Sequence, residues 1–216
     1  MRWETLSLPG DLKTANSGWS GAGRAGRDMK IQDIVYIALF AALTAALGLI
    51  PRIDLGVVPV PITAQTLGPM LAGAILGARR GALSQALFLL LLAAGLPLLA
   101  GGRGGIAVFE SPSAGFVVAW PLAAAVTGFI IERLWTRLSF VKALLATIVG
   151  GVGIVYACGI PVLALLGGLT LQQAAAGSAI FLPGDLIKAA IAASVAMFVK
   201  RGYPIIAPRV SPNDRA

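Results

Sequence analysis

Long apolar runs, separated by short polar segments, dominate the chain after residue 28. Six of them can be distinguished, each bounded by proline, glycine or clustered basic residues: 31–50, 63–77, 81–100, 114–134, 141–166 and 184–199. A helix needs about 20 apolar residues to cross a bilayer. The second and sixth runs are short for this, which is tolerated where a helix is buried or lines a cavity. The pattern predicts an all-α integral membrane protein, a bundle of six transmembrane helices.

The ends of the chain have a different pattern. Residues 1–28 are rich in Gly, Ser and Ala without a periodic apolar face, which predicts a disordered N-terminal tail. This tail lacks the apolar core of a secretory signal. Met29 directly precedes the first predicted helix and is an alternative start of the protein. We therefore expect residues 29–201 to form the membrane domain and residues 202–216 a C-terminal tail.

Basic residues indicate the orientation. If the N-terminus is cytoplasmic, six spans place 14 Lys and Arg in cytoplasmic segments and only two, Arg52 and Arg103, in outer loops. The remaining cation, Lys188, falls within the sixth run. Cytoplasmic loops of membrane proteins carry an excess of Lys and Arg, so the bias predicts that both termini are cytoplasmic. An odd number of spans would remove it.

Composition excludes several classes of function. The chain is 57% hydrophobic and 12% charged, against about 25% charged residues in soluble domains, so a soluble fold would expose large apolar patches. The net charge of +8 does not predict nucleic-acid binding, because the cations recur in short clusters rather than one patch. There is no His, and Cys158 is the single cysteine, which predicts neither a metal site nor a disulfide. Without a phosphate-binding loop or a Ser/His pair, the chain is not expected to be an enzyme.

Asp185 and Lys188 are the most unusual polar residues, because "FLPGDLIKAA" interrupts an apolar run with two opposite charges. Pro183 and Gly184 are expected to open the sixth helix, near its outer end, with Asp185 at the positive end of the helix dipole. The i,i+3 spacing puts both charges on one face. One interpretation is a structural ion pair; the other is a polar ligand site, because ionisable residues inside membranes usually serve function.

Other candidates for ligand contact are individually weaker. Gln85 is an amide within an apolar helix, where interhelical hydrogen bonding is an equal alternative. Arg103, in "GGRGG", either is solvated or reaches an anionic ligand. Gln65, like Thr63, follows the prolines of the first outer loop and is alternatively a helix cap. The remaining candidates are aromatic side chains, for which packing is the alternative: Phe116, Trp120 and Tyr156.

Small residues form a stripe on the first helix. Ala38, Ala42 and Ala46 are four residues apart, and such spacing lets another helix approach closely. This stripe serves either packing within the bundle or docking to a second membrane protein.

Four segments together resemble the BioY family: "PVPITAQTLG" (59–68), "GARRGALSQALFLLLLAAGLPLLAGG" (77–102), "SPSAGFVVAWPLAA" (111–124) and "PGDLIK" (183–188). The resemblance covers nearly the whole chain from Met29 to about Arg201. BioY proteins are the biotin-binding S components of energy-coupling-factor (ECF) vitamin transporters. The resemblance implies a six-helix bundle with a biotin pocket near its outer face, partly covered by the loop after the first helix.

The resemblance also implies roles for particular residues. Asp185 and Lys188 become ligand residues, Gln85 falls where an Asn is expected in some relatives, and Arg103 suits the biotin carboxylate. The alanine stripe would meet a transmembrane coupling subunit, which works with ATPase subunits in the cell membrane. Biotin is then the transported ligand, and no cofactor is expected. The alternatives are an S component for another vitamin and a membrane assembly protein without transport activity.

Overall fold

The computed structural model describes residues 29–54, 56, 59–202 and 205–206. The predicted N-terminal tail, 1–28, and most of the predicted C-terminal tail lie outside the described residues. Within these ranges the chain is helical and forms no strand, only two isolated antiparallel bridges. The prediction of an all-α protein is therefore confirmed.

Nine α-helices make up most of the described chain. They are α1 (Ile31–Leu47), α2 (Leu67–Leu76), α3 (Ala78–Ala93), α4 (Ala114–Val118), α5 (Trp120–Leu134), α6 (Phe140–Ile148), α7 (Val155–Gly167), α8 (Leu171–Ser178) and α9 (Leu182–Gly202). A π-helix, Val149–Ile154, joins α6 to α7, and a 3₁₀ turn, Ala179–Phe181, joins α8 to α9.

Within the described ranges, three helical runs are long and apolar enough to cross a membrane: Ala114–Arg137, Phe140–Gly167 and Leu171–Gly202. Large apolar side chains are exposed on several helices, as expected for surfaces that face lipid. Together these features indicate a multi-pass membrane protein.

The last run begins earlier than the sequence suggested. We expected the sixth helix to start near Gly184, but α9 begins at Leu182 and helical conformation already starts at Leu171. "TLQQ" is a capping box, in which the Thr170 hydroxyl accepts the backbone N–H of Gln173. Pro183 and Asp185 nevertheless lie in the first turn of α9, as expected, and the preceding helix α8 is the element that the sequence did not predict.

The short helix α2 is the central element of the bundle. All of its residues from Gly68 to Leu76 are buried, which explains how a segment of 10 residues persists in an apolar environment. Gly77 then reverses the chain into α3 with φ of +84°, a conformation that side chains with a Cβ disfavour. Helix α2 thus places the end of the preceding loop, residues 59–66, against α9.

Two loops close one end of the bundle. In the loop between α1 and α2, Ile53 and Ile62 form an antiparallel bridge, and in the loop after α3, Leu99 pairs with Arg103. The second loop turns at Gly101 and Gly102, both with positive φ. The cavity described next lies beneath these loops.

Candidate ligand-binding site

A cavity with an empty volume of about 580 Å³, counted to its mouth, lies between the two loops and helices α4, α5, α7 and α9. Ligand sites for small molecules usually combine apolar walls with a few polar groups. Its polar lining consists of Thr63, Gln65, Thr66, Arg103, Ser113, Tyr156, Asp185 and Lys188. The structure therefore brings every ligand candidate except Gln85 to one cavity: Asp185, Lys188, Arg103, Gln65, Tyr156, Phe116 and Trp120.

A buried ion pair forms the most polar part of the cavity. Lys188 Nζ lies 2.8 Å from Asp185 Oδ1, and Asp185 is only 4% exposed. Thr66 Oγ1 donates to the same oxygen at 3.0 Å, and Tyr156 Oη donates to Asp185 Oδ2 at 2.8 Å. Three elements of the chain, namely α9, α7 and the loop before α2, thus meet at one carboxylate. The ion pair is therefore structural and also lines a cavity.

Counting hydrogen bonds shows what this carboxylate still offers. An ionised carboxylate has about four acceptor positions, and Asp185 uses three of them on Thr66, Tyr156 and Lys188. One position remains for a donor in the cavity. The Tyr156 oxygen can accept a further hydrogen bond while it donates to Asp185. Asp185 and Tyr156 together therefore offer two neighbouring acceptors.

The Lys188 ammonium is fully engaged with the protein. Its three N–H groups have three acceptors: the Thr63 carbonyl oxygen at 2.6 Å, Thr66 Oγ1 at 2.9 Å and Asp185 Oδ1 at 2.8 Å. Lys188 therefore fastens the loop before α2 to α9 and has no donor left for a ligand in this conformation.

Aromatic rings form one wall of the cavity. Phe116 of α4 makes edge contacts with Tyr156 and Phe181, with centroids 6.1 Å and 6.5 Å apart. Gly159 allows this arrangement, because a Cβ there would collide with the Phe116 ring. The π-helix immediately precedes α7, whose first two residues, Val155 and Tyr156, both line the cavity.

Arg103 has unused hydrogen-bonding capacity. Its Nη1 donates to Ser113 Oγ at 3.4 Å, a weak contact, while its buried Nε has no partner among the described residues. Burial lowers the pKa of Arg103 from its ordinary value, the nearby Arg52 lowers it further, and Asp54 opposes the shift. An arginine nevertheless stays charged in a protein, so Arg103 is an underused cation in the cavity wall.

Trp120 was one of the aromatic candidates in the sequence, with packing as the alternative. It stacks at an angle on Phe88, with centroids 5.4 Å apart, and it also lines the cavity. Its buried Nε1 donor has no partner in the described part of the protein. Buried donors usually have an acceptor. The spacing of Ser113, Val117 and Trp120 places all three on one face and would have revealed this lining from the sequence.

Gln65 lines the cavity, but its amide is occupied by backbone groups. Its Nε2 donates to the Thr44 and Leu98 carbonyl oxygens, and its Oε1 accepts the Ala100 N–H at 2.8 Å. It is not a helix cap, since Thr66 precedes α2 and makes no side-chain cap. Gln65 thus joins α1 and both loops.

Gln85 is not brought to the cavity. It is fully buried between α1 and α3, where its Nε2 donates to Thr44 Oγ1 at 3.1 Å and Ser84 Oγ at 3.3 Å. This is the interhelical hydrogen bonding that the sequence left open as the alternative. Gln85 lies on α3, and no residue of α3 lines the cavity.

The alanine stripe of α1 faces outward. Ala38, Ala42 and Ala46 are all exposed, together with Leu39 and Leu43. The stripe therefore packs against none of the described elements of this chain.

Comparison with known proteins identifies the chain. The model of the BioY family matches residues 21–205. The chain belongs to the BioY family. It is 50% identical over 186 residues to "Biotin transporter BioY" of Rhizobium etli, and the match covers 84% of this chain and 100% of that protein. The "Probable biotin transporter BioY" of Bacillus subtilis is 48% identical, and the match covers 82% of this chain and 95% of that protein.

A solved structure shares the fold. The crystal structure of "the S-component for biotin from an ECF-type ABC transporter" superposes with a TM-score of 0.78 at 32% identity, covering 81% of this chain and 94% of that one. The family resemblance seen in the sequence is thus confirmed. The BioY family consists of transporter components, so the prediction that the chain is not an enzyme also holds.

Proposed function

We propose that this protein is the biotin-binding S component of an ECF-type transporter and that the cavity under the two loops holds biotin. The names of its relatives support this function. The observation that carries the assignment is the buried carboxylate of Asp185, which keeps one free acceptor position beside Tyr156 in a mostly apolar cavity.

The chemistry of biotin matches the cavity group by group. Its ureido ring presents two N–H donors, which suit the acceptors of Asp185 and Tyr156. Its bicyclic ring and chain are apolar and suit the aromatic wall around Phe116. Its carboxylate suits Arg103, whose Nε lacks a partner. Lys188 neutralises Asp185 and fixes the loop, which agrees with a role in holding the site together.

The distribution of basic residues among the loops supports six spans of the cell's inner membrane with both termini in the cytoplasm. The cavity then opens to the outer side. The basic residues in cytoplasmic segments would number 14, against two outside. In this orientation Arg103 and the two covering loops face the exterior, where biotin arrives.

The exposed alanine stripe supports docking to a transmembrane coupling subunit. Small side chains permit close helix contact, and the stripe has no partner among the described elements of this chain. The chain has no phosphate-binding loop, so ATPase subunits would supply the energy through that coupling subunit.

A titration of the purified protein with biotin tests the assignment. We expect saturable binding with nanomolar affinity, which corresponds to about −12 kcal/mol. Separate titrations with riboflavin and thiamine, two vitamins of different shape and charge, test whether binding is specific for biotin. Saturable binding of another vitamin without binding of biotin would contradict the proposal.

A further inference from the structure

Two ammonium groups meet at the connection between α5 and α6. Lys142 Nζ donates to the Arg137 carbonyl oxygen at 2.8 Å, and Lys200 Nζ donates to the Leu138 carbonyl oxygen at 3.5 Å. Lys200 Nζ also lies 5.4 Å from the ring centroid of Trp135. Because the two carbonyls belong to consecutive residues, a cation from α6 and a cation from α9 are held close together.

These cations are not neutralised within the described ranges. Neither Lys142 nor Lys200 forms an ion pair there, and each ammonium spends one of its three donors on a carbonyl. The acidic residues at this end of the bundle point elsewhere: Glu132 accepts the Ala78 N–H, and Asp33 pairs with Arg80. Spare donors and uncompensated positive charge remain at one place.

An apolar strip begins beside this cationic cluster. Val141, Leu145 and Val149 follow each other at four-residue spacing and are 61%, 56% and 48% exposed. That spacing puts Val141 and Leu145 on one face of α6 and continues this face to Val149, the first residue of the π-helix. A cationic cluster at the end of an exposed apolar strip complements a molecule with an anionic head and a hydrocarbon tail.

We propose that Lys142 and Lys200 form a binding site for an anionic phospholipid. The phosphate of the head group accepts from both ammonium groups, and an acyl chain lies along the strip of Val141, Leu145 and Val149. Basic clusters at the cytoplasmic ends of membrane helices attract anionic lipids. The site is separate from the biotin cavity and from the alanine stripe on α1, so it does not depend on the proposed function.

Titration of the detergent-solubilised full-length protein with phosphatidylglycerol, monitored by native mass spectrometry, tests this site. We expect phosphatidylglycerol to be retained in preference to phosphatidylcholine. Each basic residue near the membrane surface strengthens anionic lipid binding about fivefold. Lys142→Gln and Lys200→Gln should each weaken retention by about that factor, and the double variant by about 25-fold. Biotin binding by each variant reports correct folding.

Lys30→Gln is the matched control, because it removes the same charge at the exposed start of α1. It should change retention less than twofold. Equal loss in Lys30→Gln and Lys142→Gln would mean non-specific attraction and overturn the site. Unchanged retention in the double variant would also overturn it. If the double variant keeps the lipid but loses the coupling subunit, the cluster is a protein-docking surface instead.

Discussion

The carbonyl oxygen of Thr63 lies 2.6 Å from the ammonium nitrogen of Lys188, so that a loop residue and a helix residue 125 positions apart in sequence are in direct contact. This bond, with those to Thr66 and Asp185, ties the loop that covers the cavity to the helix that carries the carboxylate. We therefore expect the position of the loop over the cavity to depend on these hydrogen bonds.

Thr66→Val tests whether the loop before α2 is coupled to the ion pair of Asp185 and Lys188. The Thr66 hydroxyl accepts from Lys188 and donates to Asp185, and a valine of nearly equal size removes both bonds. Hydrogen bonds to charged groups contribute about 1.5–3 kcal/mol, so biotin should dissociate at least about tenfold faster. Stopped-flow measurement of the dissociation rate checks this.

Thr66→Ser provides the control, because it keeps the hydroxyl and should dissociate biotin at nearly the wild-type rate. Melting of both variants without biotin separates effects on stability from effects on binding. If the valine variant releases biotin as slowly as the wild type, Thr66 does not couple the loop to the site.

Arg103→Ala tests recognition of the biotin carboxylate. A charge-assisted hydrogen bond is lost, so biotin should bind about 10- to 100-fold more weakly, while an uncharged biotin amide should be affected much less. Calorimetry with both ligands gives the comparison. Arg52→Ala is the matched control, since Arg52 is a nearby cation that pairs with Asp54 and does not line the cavity. Equal weakening of both ligands by Arg103→Ala would contradict the pairing.

Ala42→Leu tests the docking surface. A larger side chain in the middle of the exposed stripe should block close approach of a partner helix and lower coupled biotin uptake several-fold. Biotin binding by the isolated subunit should remain, because the stripe faces away from the cavity. Ala157→Leu, at an exposed alanine of α7, controls for bulk on the membrane-facing surface. Loss of binding and uptake in equal measure would show that the stripe is not a docking surface.

Reporter fusions test the orientation. A fusion after Arg137 or after Lys200 should report the cytoplasm, and a fusion near Arg103 should report the exterior, as the distribution of basic residues predicts. A cytoplasmic signal near Arg103 would reject the six-span arrangement.

The apolar runs, each interrupted by glycine, proline or charge, sufficed to predict an all-α membrane protein. The charges of Asp185 and Lys188 were equally visible, because two ions in an apolar run need a physical reason. The contribution of Thr66 was not visible, since nothing in its local sequence indicates a partner 119 residues away. Gln85 could not be assigned either, because an amide in an apolar helix looks the same whether it faces a cavity or a neighbouring helix.

Helix α8 was missed for a different reason. Pro183 and Gly184 indicated the start of α9 to within two residues, because proline in a first turn lacks only an N–H that needs no partner there. The capping box at Thr170, which begins helical conformation 13 residues before Pro183, was not recognised in the sequence.

Whether Asp185 accepts a hydrogen bond from the ureido ring is the central claim. The most direct measurement compares the affinities of biotin and a ring N-methylated biotin for the wild type and for Asp185→Asn. Asp185→Asn leaves Lys188 without its carboxylate partner, which should lower the affinity for both ligands alike. The cycle of four affinities therefore isolates the hydrogen bond between Asp185 and the ureido N–H. Our account predicts that the wild type's preference for biotin shrinks at least about tenfold in Asp185→Asn. The same preference in both proteins would contradict it.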